Sequence, residues 1–253
     1  MTDILDFEVR GTGPGLVLIH GTGSTGPATW APLLDALAAE HTVLLPNMPG
    51  SGDSRLPDGP LDIDVIADQI VATAAETGME RFAVAGASLG APVAIRVAAR
   101  HPERVTRLAT VVGYAWARPL MRMNIELWRT LLARGDEETG KLLATLTLSD
   151  GFLASLSEEQ LKRVILLGAD AGPGADAQID FALRIDVRPD LPLIRVPALI
   201  IAAVEDRFIP LAQSRELAAG IPGARLLEVG GGHSSIFEDP RQTMFPLVEF
   251  FKE

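Results

Sequence analysis

The chain contains no cysteine. Disulfides, thiolate metal sites and cysteine nucleophiles are therefore excluded. Basic residues are scarce as well: 22 Lys and Arg stand against 33 Asp and Glu, for a formal charge of −11 and an isoelectric point near 4.9. Such a surplus repels phosphate backbones and anionic headgroups, so nucleic acid and membrane surfaces are poor partners and a small, neutral or apolar ligand is expected. No stretch approaches the roughly 18 apolar residues of a membrane span. The opening MTDILDFEVRG carries acids and no long apolar stretch, so no secretory signal is visible and a cytoplasmic location is expected. What the chain does have is apolar mass. Its 253 residues are 47% hydrophobic, enough for a sizeable core and too much for a disordered chain.

Short β-type runs alternate with longer helical ones. LVLIH (16–20), TVLLP (42–46), FAVAGA (82–87), RLATVVG (107–113) and ALIIAAV (198–204) are near-continuous apolar runs, as expected of strands buried on both faces of a parallel sheet. Residues 62–78 read as a helix with Val65, Ile66, Ile70 and Val71 on one stripe, an acidic first turn and Gly78 as a stop. The alternation predicts an α/β fold with a mostly parallel, doubly wound sheet. It breaks once, from about 117 to 190, where the sequence is helical and methionine-bearing. The expected organisation is a core of residues 1–116 and 191–253 with an inserted helical lid over 117–190.

FAVAGASLGAPVAI holds a single hydroxyl, Ser88, in the turn between a strand and a helix, with Gly86 and Gly90 two residues to either side. So abrupt a reversal drives its central residue toward positive φ and crowds the side chains at ±2, which glycine relieves. The turn also aims the Leu89 N–H and the helix N-terminus at whatever the serine attacks, a setting that suits a developing oxyanion. A serine hydroxyl needs a base and an orienting acid, and the chain offers four histidines. His41 opens a strand, His101 sits at a helix end and His20 braces a loop, whereas His233 lies in EVGGGHSSIFEDP, in a loop after a strand-like run. Loops at the carboxyl ends of strands are where α/β folds build sites. For the acid, AAVEDRFIP offers Glu205 and Asp206, and Asp206, farther into its loop, is preferred. The resulting chain order is Ser88, Asp206, His233.

LVLIHGTGS, NMPGSGDS, VAGASLG, VEDRFIP and GGGHSS together resemble, in order and spacing, the loops of α/β-hydrolases, over nearly the whole chain except the lid. The resemblance implies that the Thr22 N–H is the second oxyanion donor, with Gly23 the runner-up. Asn47 stands where many relatives carry an aspartate before the PGxGxS turn, a position whose role in the family is structural. GSGDS at 50–54 lacks the lysine and following helix of a phosphate loop and reads as a structural turn. Tyr114, Trp116, Met121, Met123, Trp128 and Phe208 are the expected lining of an apolar pocket between core and lid. Arg207 is the one basic residue in the motif loops, which disfavours a multiply phosphorylated substrate. The expected activity is hydrolysis of an ester, lactone or similar acyl bond of a small, rather apolar molecule, with no metal or organic cofactor. The same resemblance covers lyases, carbon–carbon bond cleaving enzymes, cyclases and ligand receptors that keep the triad. The sequence carries no signal for an oligomeric state.

Overall fold

A computed structural model describes residues 3–134, 137–169 and 171–252. The expected inserted segment is thus described apart from residues 135–136 and 170, and the core apart from 1–2 and 253.

Seven strands form one sheet: β1 (Phe7–Arg10), β2 (Gly15–Ile19), β3 (Thr42–Pro46), β4 (Phe82–Ala87), β5 (Val105–Val111), β6 (Ala198–Ala203) and β7 (Arg225–Val229), in the spatial order β1-β3-β2-β4-β5-β6-β7. Only β1 is antiparallel to its neighbour. The continuous apolar runs are explained by burial on both faces. Val17 and Ile19 of β2, Val84 of β4 and Ile200 of β6 belong to one apolar cluster, whereas Leu16, Leu18, Ala83, Ala85 and Ile201 belong to a second. Successive side chains of a strand point to opposite sides, so each strand feeds both clusters.

Helices cover both faces. α1 (Gly26–Ala38) and the final helix contribute Trp30, Leu33, Leu37, Leu247 and Phe250 to the second cluster, while α2 (Ile63–Glu76) and α3 (Gly90–Arg100) complete the first. Asp62 caps α2, its Oδ1 accepting from the Asp64 and Val65 N–H groups, and Gly78 follows the helix at φ +81°. The expected stripe needs one correction: Ile66, Ile70 and Val71 are buried, but Val65 is 53% exposed. It lies a step of about 100° from Ile66, and Ala67 and Ala74 complete the buried face instead. Strand β1 was not visible in the sequence, because FEVR is a short, largely exposed edge strand without an apolar run.

Between β5 and β6 lie α4 (Pro119–Leu132), α5 (Glu137–Thr147), α6 (Asp150–Ser155), α7 (Glu158–Ala169) and α8 (Ala175–Arg184). An antiparallel bridge between Trp116 and Asp186 closes the neck of this segment. Its far end docks on the core through α8, where Gln178 Nε2 donates to the Pro49 carbonyl (3.1 Å) and to Ser51 Oγ (3.0 Å). The chain ends with α9 (Leu211–Gly220), α10 (Ser235–Glu238) and α11 (Pro240–Lys252). No helix among the described residues is long and apolar enough to cross a membrane. Six strands run parallel, so the loops after β2, β4, β5, β6 and β7 emerge along one edge of the sheet.

Candidate active site

Ser88 follows β4 directly, at φ +53°, and is held by its N–H donating to the Val111 carbonyl (3.0 Å) and its carbonyl accepting from Ala91 N–H (3.0 Å). The glycines serve two different surfaces. A Cβ on Gly86 would lie 2.0 Å from the Gly90 carbonyl oxygen, across the turn, whereas one on Gly90 would lie 2.4 Å from the Ile19 carbonyl oxygen on the neighbouring strand. The crowding at ±2 is therefore half within the turn and half against β2.

Ser88 Oγ lies 2.9 Å from His233 Nε2, and His233 Nδ1 lies 2.7 Å from Asp206 Oδ2. The second carboxylate oxygen, Oδ1, accepts the N–H groups of Phe208 (2.9 Å) and Ile209 (2.7 Å). A carboxylate can only accept here, so Nδ1 carries the imidazole proton and Nε2 is left to accept from the serine. The Asp206 side chain is 1% exposed, while Glu205 points to solvent. The ring of Phe208 packs edge-on against His233 (5.2 Å between centroids) and against Trp128 (5.9 Å).

Among the described residues the backbone N–H groups of Thr22 and Leu89 find no acceptor. The Gly23 N–H is engaged by Gln178 Oε1 at 2.8 Å. Gln178 thus withdraws Gly23 as a free donor, and nothing in the sequence marked this residue, which reaches the site from 155 positions away. Glu238 also escaped notice although it stands within GGGHSSIFEDP. Its Oε1 accepts from the N–H of Gly232 (2.9 Å) and of Ser149 (3.0 Å), and its Oε2 from the Ser149 hydroxyl. The Ser234 N–H donates to the Thr147 carbonyl (2.8 Å). Arg207 is similarly occupied, donating to the carbonyls of Thr145 (3.1 Å) and Leu148 (3.2 Å). The loops carrying Asp206 and His233 are therefore both tied to the α5–α6 junction.

Of the expected lining residues, Trp128 and Phe208 border the space around Ser88 on both sides, and Tyr114 and Met121 lie on its inner side. Tyr114 is fully buried with its hydroxyl unpartnered among the described residues, and burial pushes that hydroxyl well above the usual phenol range. Two residues lie elsewhere. Met123 is 59% exposed, because α4 turns Met121, Ile125 and Trp128 inward at helical spacing and residue 123 falls opposite them. Trp116 donates its indole N–H to Glu216 (3.2 Å) and stacks under the Arg188 guanidinium (4.4 Å), bordering neither cavity at Ser88. Its place at the neck of the insertion accounts for the displacement. Asn47 is structural: Oδ1 accepts from Gly26 N–H (2.9 Å) and Nδ2 donates to Asp6 Oδ2 (2.7 Å). The GSGDS segment closes as a turn through Gly50 N–H to the Ser54 carbonyl (2.9 Å).

The other histidines are occupied. His101 contacts Asp68 (2.8 Å) and His41 bonds the Leu37 carbonyl (3.2 Å). His20 is fully buried, donating from Nδ1 to the Gly21 carbonyl (2.7 Å) and accepting the Met48 N–H at Nε2 (2.8 Å). Desolvation depresses its pKa to about 4, so it is neutral at neutral pH. The unfolded chain takes up this proton below about pH 6.5 and the folded chain does not until about pH 4. Stability contributed by neutral His20 is complete above pH 6.5 and declines as pH falls toward 4, by about 3 kcal/mol. Urea titrations across that window are expected to show the decline, and His20→Gln to flatten it; an unchanged slope in the variant assigns the decline to other groups.

The family model of the alpha/beta hydrolase fold matches residues 14–240. The chain is 30% identical over 249 residues to pyrrolizixenacetamide deacetylase of Xenorhabdus hominickii, covering 97% of this chain and 94% of that one. It is 30% identical over 232 residues to a pimeloyl-acyl-carrier-protein methyl ester esterase of Vibrio atlanticus, covering 88% of each. The crystal structure of the enol-lactonase from Burkholderia xenovorans superposes with a TM-score of 0.82 at 26% identity, covering 98% of this chain and 96% of the other. The chain belongs to the α/β-hydrolase fold family and is an enzyme of it.

Proposed function

We propose that the protein is a serine hydrolase cleaving an ester, lactone or similar acyl bond of a small, rather apolar molecule. The observation that carries this reading is the unbroken relay from Ser88 Oγ through His233 to the buried Asp206 carboxylate, opening on a cavity. Ser88 attacks the acyl carbon while His233 Nε2 takes its proton, and Asp206 holds the imidazole in the tautomer that can do so. The N–H groups of Leu89 and Thr22, unspent in the resting site, receive the oxyanion. His233 returns the proton to the leaving group, and water then releases the acyl group from Ser88. Residues 117–190 act as the lid over this site, in a cytoplasmic enzyme. The deacetylase, methyl ester esterase and enol-lactonase among the similar proteins all carry names for acyl-bond chemistry, in support of the same class.

The direct test is labelling with a fluorophosphonate followed by peptide mapping. Ser88 alone is expected to be modified; label on Ser24, or none, sinks the assignment.

A further inference from the structure

Two cavities meet at Ser88. The outer one is about 210 Å³ and has His233, Leu143 and Phe237 in its wall. The inner one is about 10 Å³ and lies among Tyr114, Met121, Ile125, Ile179 and Ala182. Thr22, Ser88, Trp128 and Phe208 border both, so these four residues form the waist between them.

The two sides are not equivalent for the chemistry, because His233 borders the outer cavity alone. In the hydrolase reading, on which the roles of the two cavities rest, the proton removed from Ser88 Oγ travels on His233 Nε2 to the leaving oxygen or nitrogen. The leaving atom must therefore come within about 3 Å of Nε2. The leaving group has to lie in the outer cavity, which leaves the carbonyl substituent to project across the waist. On the same measure the inner cavity, about 10 Å³, is far smaller than the outer one, about 210 Å³, so the inner side is the tight side of the waist. A methyl group fits that space; a longer chain would have to displace Ile125 and Ile179, both buried in the packed core.

We infer that the inner cavity is the acyl pocket and limits the enzyme to acetyl-sized acyl groups carried on a larger, apolar alcohol or amine. In the first half-reaction the bond from Ser88 Oγ to the acyl carbon forms and the bond to the leaving oxygen or nitrogen breaks, the serine proton ending on the leaving atom. In the second, water takes the place of that group and releases the short acid, its proton passing through His233 back to Ser88.

The test is a series of 4-nitrophenyl esters hydrolysed by the full-length chain, with Ser88 labelling by the fluorophosphonate run in parallel. From acetate to butyrate kcat/KM is expected to fall about 100-fold, and octanoate to be cleaved more slowly still. Ile179→Ala, which enlarges only the inner cavity, is expected to raise the butyrate-to-acetate ratio about tenfold. The wild-type series decides the matter even if this variant does not fold. Cleavage of butyrate and octanoate at the acetate rate by an enzyme labelled at Ser88 overturns the acyl-pocket assignment and leaves the hydrolase reading standing. Failure to cleave any ester, with Ser88 unlabelled, overturns both.

Discussion

Ser88→Ala and His233→Ala are each expected to lower kcat for an ester by about 10⁶, and the double variant to lose no more than either alone. The reason is geometric. Ser88 Oγ and His233 Nε2 are 2.9 Å apart and share one proton, so removing either partner removes the same step. What survives comes from the Leu89 and Thr22 N–H groups and from binding, both of which remain in the variants. Folding should not suffer, because Ser88 already occupies φ +53° with a Cβ in place, and alanine asks for no more room. Kinetics alongside circular dichroism check both statements. If the enzyme instead eliminates a small acid, His233 still acts as base while the serine merely positions substrate. Ser88→Ala then keeps substantial activity, His233→Ala does not, and acid formed in heavy-oxygen water carries no label. Unlabelled acid from the wild-type enzyme would reverse the choice of reaction.

Asp206→Asn is expected to cost about 10⁴ in kcat, whereas Glu205→Gln should leave kcat unchanged. Asp206 stands between two groups of donors: the Phe208 and Ile209 N–H groups on one oxygen and His233 Nδ1 on the other. An amide keeping its oxygen toward the backbone donors would turn its NH₂ toward Nδ1. The imidazole would then have to put its proton on Nε2, where it can no longer accept from Ser88. Glu205 lies one residue earlier, at the solvent side of the same loop. Normal turnover in Asp206→Asn together with a crippled Glu205→Gln would move the acid by one position.

How much of this was legible in the sequence differs by element. β3 and β4 were readable to the residue, because both are buried on two faces and leave continuous apolar runs. β1 was silent because an exposed edge strand leaves no such run. The turn around Ser88 was legible through its glycines, whose cause is steric and local. The inner face of α4 was not: Met121 and Met123 are both methionines two positions apart, and only the orientation of the helix on the core turns one inward and the other to solvent. Gln178 was beyond reach for a similar reason, since its contacts with Gly23, Pro49 and Ser51 exist only once α8 has docked. Local sterics and two-sided burial write themselves into sequence, whereas docking geometry between distant segments does not.

The tie between the α5–α6 junction and the two loops bearing Asp206 and His233 bears on how this enzyme can be re-engineered or can drift. Transplanting a whole helical insertion from a relative would bring in a foreign pocket, but it would also replace the carbonyls of Thr145, Thr147 and Leu148 that hold Arg207 and Ser234. The loops bearing Asp206 and His233 would lose those anchors, and in the proposed hydrolase the triad would lose its alignment along with the old specificity. Ile125 on α4 and Ile179 and Ala182 on α8 make none of those bonds. Under the proposed reading, a change of substrate is accommodated by single side chains on these two helices, whereas the stretch around residues 145–149 is constrained by its bonds to the loops of Asp206 and His233.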